Sequence, residues 1–255
     1  MNPFSLEDRV AVITGSSRGI GRSIAEHMAA AGAKVVISSR KLPACEEAAA
    51  AIRATGGEAI AVAANIGEKA QLQELVARTR AQWGRIDVLV CNAASNPYYG
   101  PMASLPDEAF QKVLQNNIVS NLWLANLVLP EMAQRREGAV IIVSSIGGIK
   151  GSATLGAYGV SKAADMQLAR NLAVEWGPHN VRVNCIAPGL VRTDFARALW
   201  DNPELLAHTE STTPLRRIGE PDDIGGIAVF LASRAGAFVT GQTIVADGGI
   251  TITGG

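Results

Sequence analysis

Arg9-Val-Ala-Val-Ile-Thr14, running straight into Gly15-Ser16-Ser17-Arg18-Gly19-Ile20-Gly21, is the stretch that decides the fold. Its first half is an unbroken apolar and β-branched run, the pattern of a strand buried on both faces. Its second half is a glycine-rich turn. After it Ile20, Ile24, Ala25 and Met28 return at helical spacing until Gly32 stops the helix. Strand, glycine turn and helix in this order suit a mononucleotide. The glycines let the backbone approach a pyrophosphate, and the helix N-terminus attracts it. The spacing is Gly-x3-Gly-x-Gly, and Gly15, Ser17, Arg18, Gly19, Ile20 and Gly21 are the residues assigned to that contact.

The same rhythm continues outward. Strands are predicted at 34–38, 59–63, 86–91, 139–144, 181–187 and 242–246, each a short apolar run. Helices fall between them. One opens at Pro43 and ends at Gly56-Gly57, and Leu72, Leu75, Val76, Thr79 and Trp83 mark the next. Pro106-Asp107 opens a long one to about Arg136, Met166, Ala169, Leu172, Ala173 and Trp176 line another, and Pro221 starts the last. Residues 190–220 show no clean periodicity. No strand pair carries a two-residue hairpin signal, so the strands are parallel and need helical crossovers. The expected fold is α/β, a single-domain doubly wound parallel sheet of the Rossmann type over residues 1–255, with helices on both faces. Ligands of such sheets sit beyond the carboxyl ends of the strands, which directs attention to the loops after Thr14, Ser38, Cys91, Ser144 and Ala187.

Composition narrows the function classes. With 23 Lys+Arg against 23 Asp+Glu the formal net charge is zero, which gives nucleic acid or an anionic membrane no electrostatic hold. Apolar residues at 48% against charged residues at 18% specify a packed core. No apolar stretch is long enough to span a bilayer, and Met1-Asn-Pro-Phe-Ser-Leu-Glu-Asp8 does not read as a signal peptide. Cys45, Cys91 and Cys185 are odd in number and far apart, as reduced thiols of a cytoplasmic protein would be. His27, His179 and His208 are scattered, so no metal is expected.

Two constellations carry chemistry. At the end of the second strand, where an acidic residue would select NAD, the chain has Ser38-Ser39-Arg40-Lys41. Arg40 can fork onto a 2′-phosphate, with Arg18 approaching from the glycine turn and Ser39 adding a hydroxyl, so NADP(H) is the expected cofactor. Tyr158 and Lys162 are four apart near the start of a helix and share a face. A phenol titrates near 10, and a neighbouring ammonium favours its ionised form, which moves the acid toward working pH.

Thr14-Gly-Ser-Ser-Arg-Gly-Ile-Gly21, Cys91-Asn-Ala-Ala94, Ser145 thirteen residues before Tyr158-Gly-Val-Ser-Lys162, and Pro188-Gly189 with Thr193 resemble the short-chain dehydrogenase/reductases. The likeness covers nearly the whole chain. It implies an oxidoreductase acting between a carbonyl and an alcohol. Tyr158 would be the proton donor, Lys162 its electrostatic partner and a ligand of the nicotinamide ribose, and Ser145 a donor to the substrate oxygen. Asn117, preferred to Asn116 because an apolar residue follows it, would complete the catalytic set and hold a water of a proton relay. The likeness also implies cofactor contacts at Asn65, Ile66, Asn92, Ala93, Pro188, Gly189, Val191 and Thr193. Asn65 stands where the family commonly has aspartate, and Thr193 can equally serve as a helix cap.

Residues 190–214 read as a lid over the substrate, with Phe195 and Trp200 on it and Tyr98 on a second wall. The segments around Tyr98, Arg40 and Trp200 are similar to the NADP-dependent carbonyl and retinal reductase branch, which implies a hydrophobic ketone or aldehyde. The alternatives are a 3-oxoacyl-carrier-protein reductase, with Arg192 and Arg197 steering an acidic carrier, a sugar or polyol dehydrogenase, and a non-enzymatic NADP-binding regulator. The family also implies a homotetramer built through its two long helices and its last strand.

Overall fold

The computed structural model describes residues 2–253. β1 (Val10–Thr14) is buried along its whole length, because it has no polar face to offer water. β2 (Lys34–Ser38) and β3 (Glu58–Ala61) lie to one side of it. β4 (Val88–Cys91), β5 (Gly138–Val143), β6 (Val181–Pro188) and β7 (Thr243–Ala246) lie to the other. The order is β3-β2-β1-β4-β5-β6-β7 and every pair is parallel, with Ile13 of β1 opposite Ile37 of β2 and Val90 of β4. The order reverses at β1, so a crevice opens between the loops that leave β1 and β4.

The connecting helices are α1 (Gly19–Ala30), α2 (Leu42–Ala54), α3 (Lys69–Trp83), α4 (Asp107–Leu114), α5 (Ser120–Arg135), α6 (Gly156–Trp176), α7 (Arg197–Trp200), α8 (Pro203–Thr212) and α9 (Asp222–Ala232). Alternate strand residues point to opposite layers. Ala11, Ile13, Val35 and Ile37 pack with Ile24 and Met28 of α1, Ala48 and Ile52 of α2 and Ala228 of α9. Val12, Val36, Val140 and Ile142 pack with Leu72 of α3, Leu124 and Val128 of α5 and Leu172 of α6. The doubly wound parallel sheet with helices on both faces is therefore the fold.

Three details differ from the sequence reading. The helix expected from Pro106 to about Arg136 runs as α4 and α5 joined by a wide π-helical turn, Gln115–Val119, which buries both Asn116 and Asn117. The third strand ends at Ala61, although Val62 and Ala64 still donate to Ile37 O and Ser39 O at 3.0 Å each. The segment after residue 190, expected to be irregular, contains α7 and α8. Neither buries a residue, so neither shows an apolar stripe. Among the described residues no helix is long and apolar enough to cross a membrane.

The rim where the strands begin is held by one carboxylate. Asp87, just before β4, is 2% exposed and accepts from Val10 N at 2.9 Å and from Arg85 Nε at 2.9 and 3.0 Å, with Arg9 and Arg135 each 3.8 Å away. Asp87→Ala strands the Val10 N–H and is expected to cost about 1–3 kcal/mol. The urea midpoint should fall at unchanged slope. Because Asp87 lies at the edge opposite the loops after β1 and β4, kcat per folded molecule should stay at the wild-type value.

Candidate active site

The glycine turn is moulded onto the loop after β4. Gly15 and Gly19 take left-handed φ of 66° and 58°, where a side chain would be strained. A Cβ on Gly15 would meet Asn92 Nδ2 at 2.9 Å and Ala93 Cα at 3.0 Å. One on Gly21 would clash with Asn92 Nδ2 and the Gly15 carbonyl. Asn92 Nδ2 itself donates to Thr14 O at 2.9 Å and Gly15 O at 3.1 Å, and Thr14 Oγ1 accepts from Asn92 N and Ala93 N at 3.1 and 3.2 Å. Asn92 is thus a brace for the turn. α1 starts at Gly19 with no side-chain cap, so its first N–H groups point into the crevice free of intrahelical partners. This cradle fits the pyrophosphate of a dinucleotide.

The outer parts of the crevice are less uniform. Arg40 is exposed and makes no hydrogen bond or ion pair among the described residues, whereas Ser39 Oγ lies 3.1 Å from Cys45 Sγ. Arg18 donates to Asp194 Oδ2 at 2.9 Å, linking the glycine turn to the segment after β6. Thr193 packs over Gly19, where a Cβ would meet its Cγ2 at 3.2 Å, and Thr193 Oγ1 also accepts from Ala196 N at 3.3 Å. Thr193 closes the turn before α7, whose own N-cap is Ala196 with no side-chain cap. Asn65 Oδ1 accepts from Gly67 N at 3.2 Å and Asn65 N donates to Gln71 Oε1 at 2.8 Å, which leaves one lone pair of that amide oxygen open. Ile66 stands beside it, half-buried. Pro188 closes β6 opposite Ala246, and Gly189 fits against Asp247, whose Cα a Cβ there would meet at 2.8 Å.

Ser145, Tyr158, Lys162 and Asn117 converge at the carboxyl ends of β4 and β5. The two adjacent serines divide their work. Ser144 is buried and donates to Lys162 O at 2.7 Å, while Ser145 caps a short 3₁₀ turn, Ile146–Gly148, by accepting from Gly147 N at 3.0 Å. A methyl group placed on Gly147 would lie 3.4 Å from Ser145 Oγ and 3.8 Å from the Tyr158 ring, so the two side chains border one small volume. The Tyr158 hydroxyl makes no hydrogen bond among the described residues. Lys162 Nζ is 5.6 Å from the centre of that ring. It donates to Val143 O and Asp165 Oδ2, both at 2.9 Å.

Asn117 is fully buried and joins the two loops. Its Oδ1 accepts from Ser95 N at 2.8 Å, and its Nδ2 donates to Ser95 O at 3.1 Å and Ser161 Oγ at 3.0 Å. Ser161 Oγ in turn donates to Tyr158 O at 2.7 Å. The neighbouring Asn116 reaches only Ser95 Oγ, at 3.0 Å. Four polar residues of this network, Ser95, Asn121, Ser161 and Asp165, escaped the sequence reading. The available signal was the line Lys162, Asp165, Ala169, Leu172, which places a carboxylate on the buried face of a helix.

The aromatic residues expected to line the substrate site divide. Phe195 stacks at a tilt on Tyr158, ring centres 6.0 Å apart. Trp200 turns back onto its own segment, donating Nε1–H to Thr193 O at 2.9 Å, and Tyr98 folds back to donate to Pro101 O at 2.9 Å. A cavity of about 240 Å³ lies between α8 and the end of β7 and reaches Ile146, next to Ser145. Its walls include Leu190, Val191, Leu215, Ile218 and Ile250, and neither Tyr98, Phe195 nor Trp200 lines it.

A family model described as enoyl-(acyl carrier protein) reductase matches residues 15–251. Dehydrogenase/reductase SDR family member 4 of Bos taurus is 40% identical over 244 residues, 96% of this chain and 88% of that protein. The structure of a gluconate 5-dehydrogenase from Burkholderia cenocepacia J2315, in complex with NADP and tartrate, superposes with a TM-score of 0.94 at 32% identity, covering 99% of each chain. A 7α-hydroxysteroid dehydrogenase complexed with NADH and 7-oxo glycochenodeoxycholic acid superposes with a TM-score of 0.93 at 34% identity, covering 97% of this chain and 96% of the other. With the glycine turn and the Ser145, Tyr158 and Lys162 geometry in place, these likenesses identify an oxidoreductase acting on CH–OH donors: the chain belongs to the short-chain dehydrogenase/reductase family.

Proposed function

We propose that this protein is an NADP(H)-dependent carbonyl reductase and alcohol dehydrogenase whose substrate is a hydrophobic ketone or aldehyde. The observation that carries the reading is the Tyr158 hydroxyl, unpaired in a site that sets a buried ammonium beneath its ring and a serine hydroxyl beside it. NADP(H), when bound, supplies or accepts the hydride. As a carbonyl carbon is reduced, charge develops on its oxygen. Tyr158 neutralises that charge by giving up its proton, and Ser145 donates a hydrogen bond to the same oxygen. Lys162 lowers the cost of the phenolate left behind. Asn117 holds the loop after β4 and the catalytic turn of α6 in register through Ser95 and Ser161.

Arg40 supports NADP(H) over NAD(H). It is an unpaired guanidinium at the end of β2, where an acidic residue would be needed to hold free ribose hydroxyls. The cavity beside Ile146 is lined by Leu190, Val191, Leu215, Ile218 and Ile250 together with Arg217, Asp223 and Asp247, and because Arg217 and Asp223 pair with each other its apolar part supports a hydrophobic substrate over a polyol. Arg192 is paired with Glu220 at 3.0 Å and Arg197 with Asp194 at 2.6 Å, which leaves them poorly placed to steer an acidic carrier. Residues 190–214 form the lid, and the contact of Phe195 with Tyr158 supports that role. Leu122 on α5, Val160 and Val174 on α6 and Val245 on β7 are exposed, as a homotetramer joined through these elements would require. Three buried reduced thiols suit a cytoplasmic enzyme.

Three outcomes are expected. Tyr158→Phe should lose roughly 10²-fold or more of kcat while NADPH binding, read by fluorescence titration, is kept. Undiminished turnover would overturn the assignment of the proton donor. Arg40→Ala should weaken NADPH binding by about 1.5–3 kcal/mol, the worth of a charge-assisted contact, and leave NADH binding unchanged. Equal loss for both cofactors would refute the 2′-phosphate role. NADPH consumption across aldehydes, aryl ketones, sugars and acyl thioesters should be fastest with apolar ketones or aldehydes, and preference for a carrier thioester or a sugar acid would reassign the substrate.

A further inference from the structure

We propose that Asp165 is a positioning residue for the reaction: together with Asn121 it holds the Lys162 ammonium charged and aimed beneath Tyr158. The proposal rests on the reading of Lys162 just given and extends it to the group behind the lysine.

Lys162 and Asp165 are three apart on α6 and both lie inside the protein, at 2% and 0% exposure. An ammonium there has lost its water and needs replacements. Two of its protons go to Val143 O of β5 and Asp165 Oδ2, each at 2.9 Å. The carboxylate is fixed in turn, because its Oδ1 accepts from Asn121 Nδ2 at 3.0 Å. The same Asn121 amide donates to Asn117 O at 2.6 Å. One continuous run of contacts thus links Lys162, Asp165, Asn121 and Asn117, drawn from α6, α5 and the π-helical turn.

Asp165 is the only carboxylate in this setting among the described residues. The other titratable groups facing the pair are Tyr158 on the same helix, Cys91 from β4 and Cys185 from β6, with Arg170 farther along α6 acting on Cys185. Burial pushes both thiols up, so they stay neutral. Burial is the largest single influence on Lys162 and works against its ammonium, but the charge and hydrogen bond of Asp165, with smaller help from Tyr158 and Cys185, together exceed it, and the lysine pKa ends above its ordinary value. A raised lysine pKa means the charge is present at every working pH and is lost only above the raised value. Burial raises the Asp165 pKa too, opposed by the Lys162 charge and by hydrogen bonds from Lys162 and Asn121, so each ion of the pair depends on the other. Without Asp165 the main group opposing burial is gone, and Lys162 holds its proton less tightly beneath Tyr158.

The test is the pH profile of Asp165→Asn, which keeps size and removes charge. Its kcat should fall about tenfold or more near pH 8, with a new loss of activity as pH rises that begins roughly one unit or more below any alkaline limb of the wild type. Asp165→Glu should recover part of the rate. A role in folding alone would lower the melting temperature and scale activity equally at all pH values, and that result overturns the proposal. A second measurement needs neither variant to fold nor any turnover. In wild type labelled at lysine 13Cε, the Lys162 resonance, assigned by its absence in Lys162→Met, should not titrate below about pH 10.4. Titration of that lysine anywhere below that pH would sink the proposal even if Tyr158 proves to be the proton donor.

Discussion

Placing an ammonium ion where water cannot reach it costs on the order of several kcal/mol unless a counter-charge and hydrogen bonds take the place of its hydration shell. Lys162 meets that condition, and the local architecture follows from meeting it. β5 must end where Val143 O can accept, α6 must present residues 162 and 165 to the same interior, and α5 must lie close enough for Asn121 to hold the carboxylate. Ser144 pins the lysine's own backbone from the strand side. Tyr158, one turn earlier on α6, then inherits its position from the lysine below and from Phe195 above.

The parallel sheet supplies the other half of the site. Because all seven strands among the described residues run the same way, their ends collect on one edge, and the reversal of order at β1 leaves a gap between its loop and that of β4. That gap is a close fit of two backbones, with Gly15 and Gly21 seated against Asn92 and Ala93. The charge cluster around Asp87 occupies the opposite edge, so the groups that lock the strand starts are spatially separate from the Ser145, Tyr158 and Lys162 cluster.

What could be read in advance follows from which signals are local. The strands were legible because a strand covered on both faces has to be an unbroken apolar run, as Val88–Cys91 and Gly138–Val143 are. Ser145, Tyr158 and Lys162 were legible because their separations survive as fixed spacings in the chain. The two helices after β6 were not, since α7 and α8 bury no residue and carry no apolar period. The one cue was Asn202-Pro203-Glu204, where Asn202 Oδ1 accepts from Glu204 N and Leu205 N at 2.9 and 3.2 Å and Pro203 takes the first helical position. The π-helical turn was hidden for another reason: its wide turn depends on Asn117 finding Ser95, a partner twenty-two residues away. Asp165 was overlooked because a lone acid on a helix ordinarily points to solvent.

Trp200 sits between two guanidiniums, with Arg192 5.2 Å and Arg197 6.0 Å from its ring, while its indole nitrogen is tied to Thr193. Cation–π contacts and a hydrogen bond on one ring weld α7 to the strand exit that carries it. These contacts join α7 to the segment that leaves β6, so a disturbance at Arg192 or Thr193 would be felt at α7. Phe195 lies between Thr193 and α7 on that same segment, so any displacement of the segment would also remove the ring packed against the Tyr158 phenol.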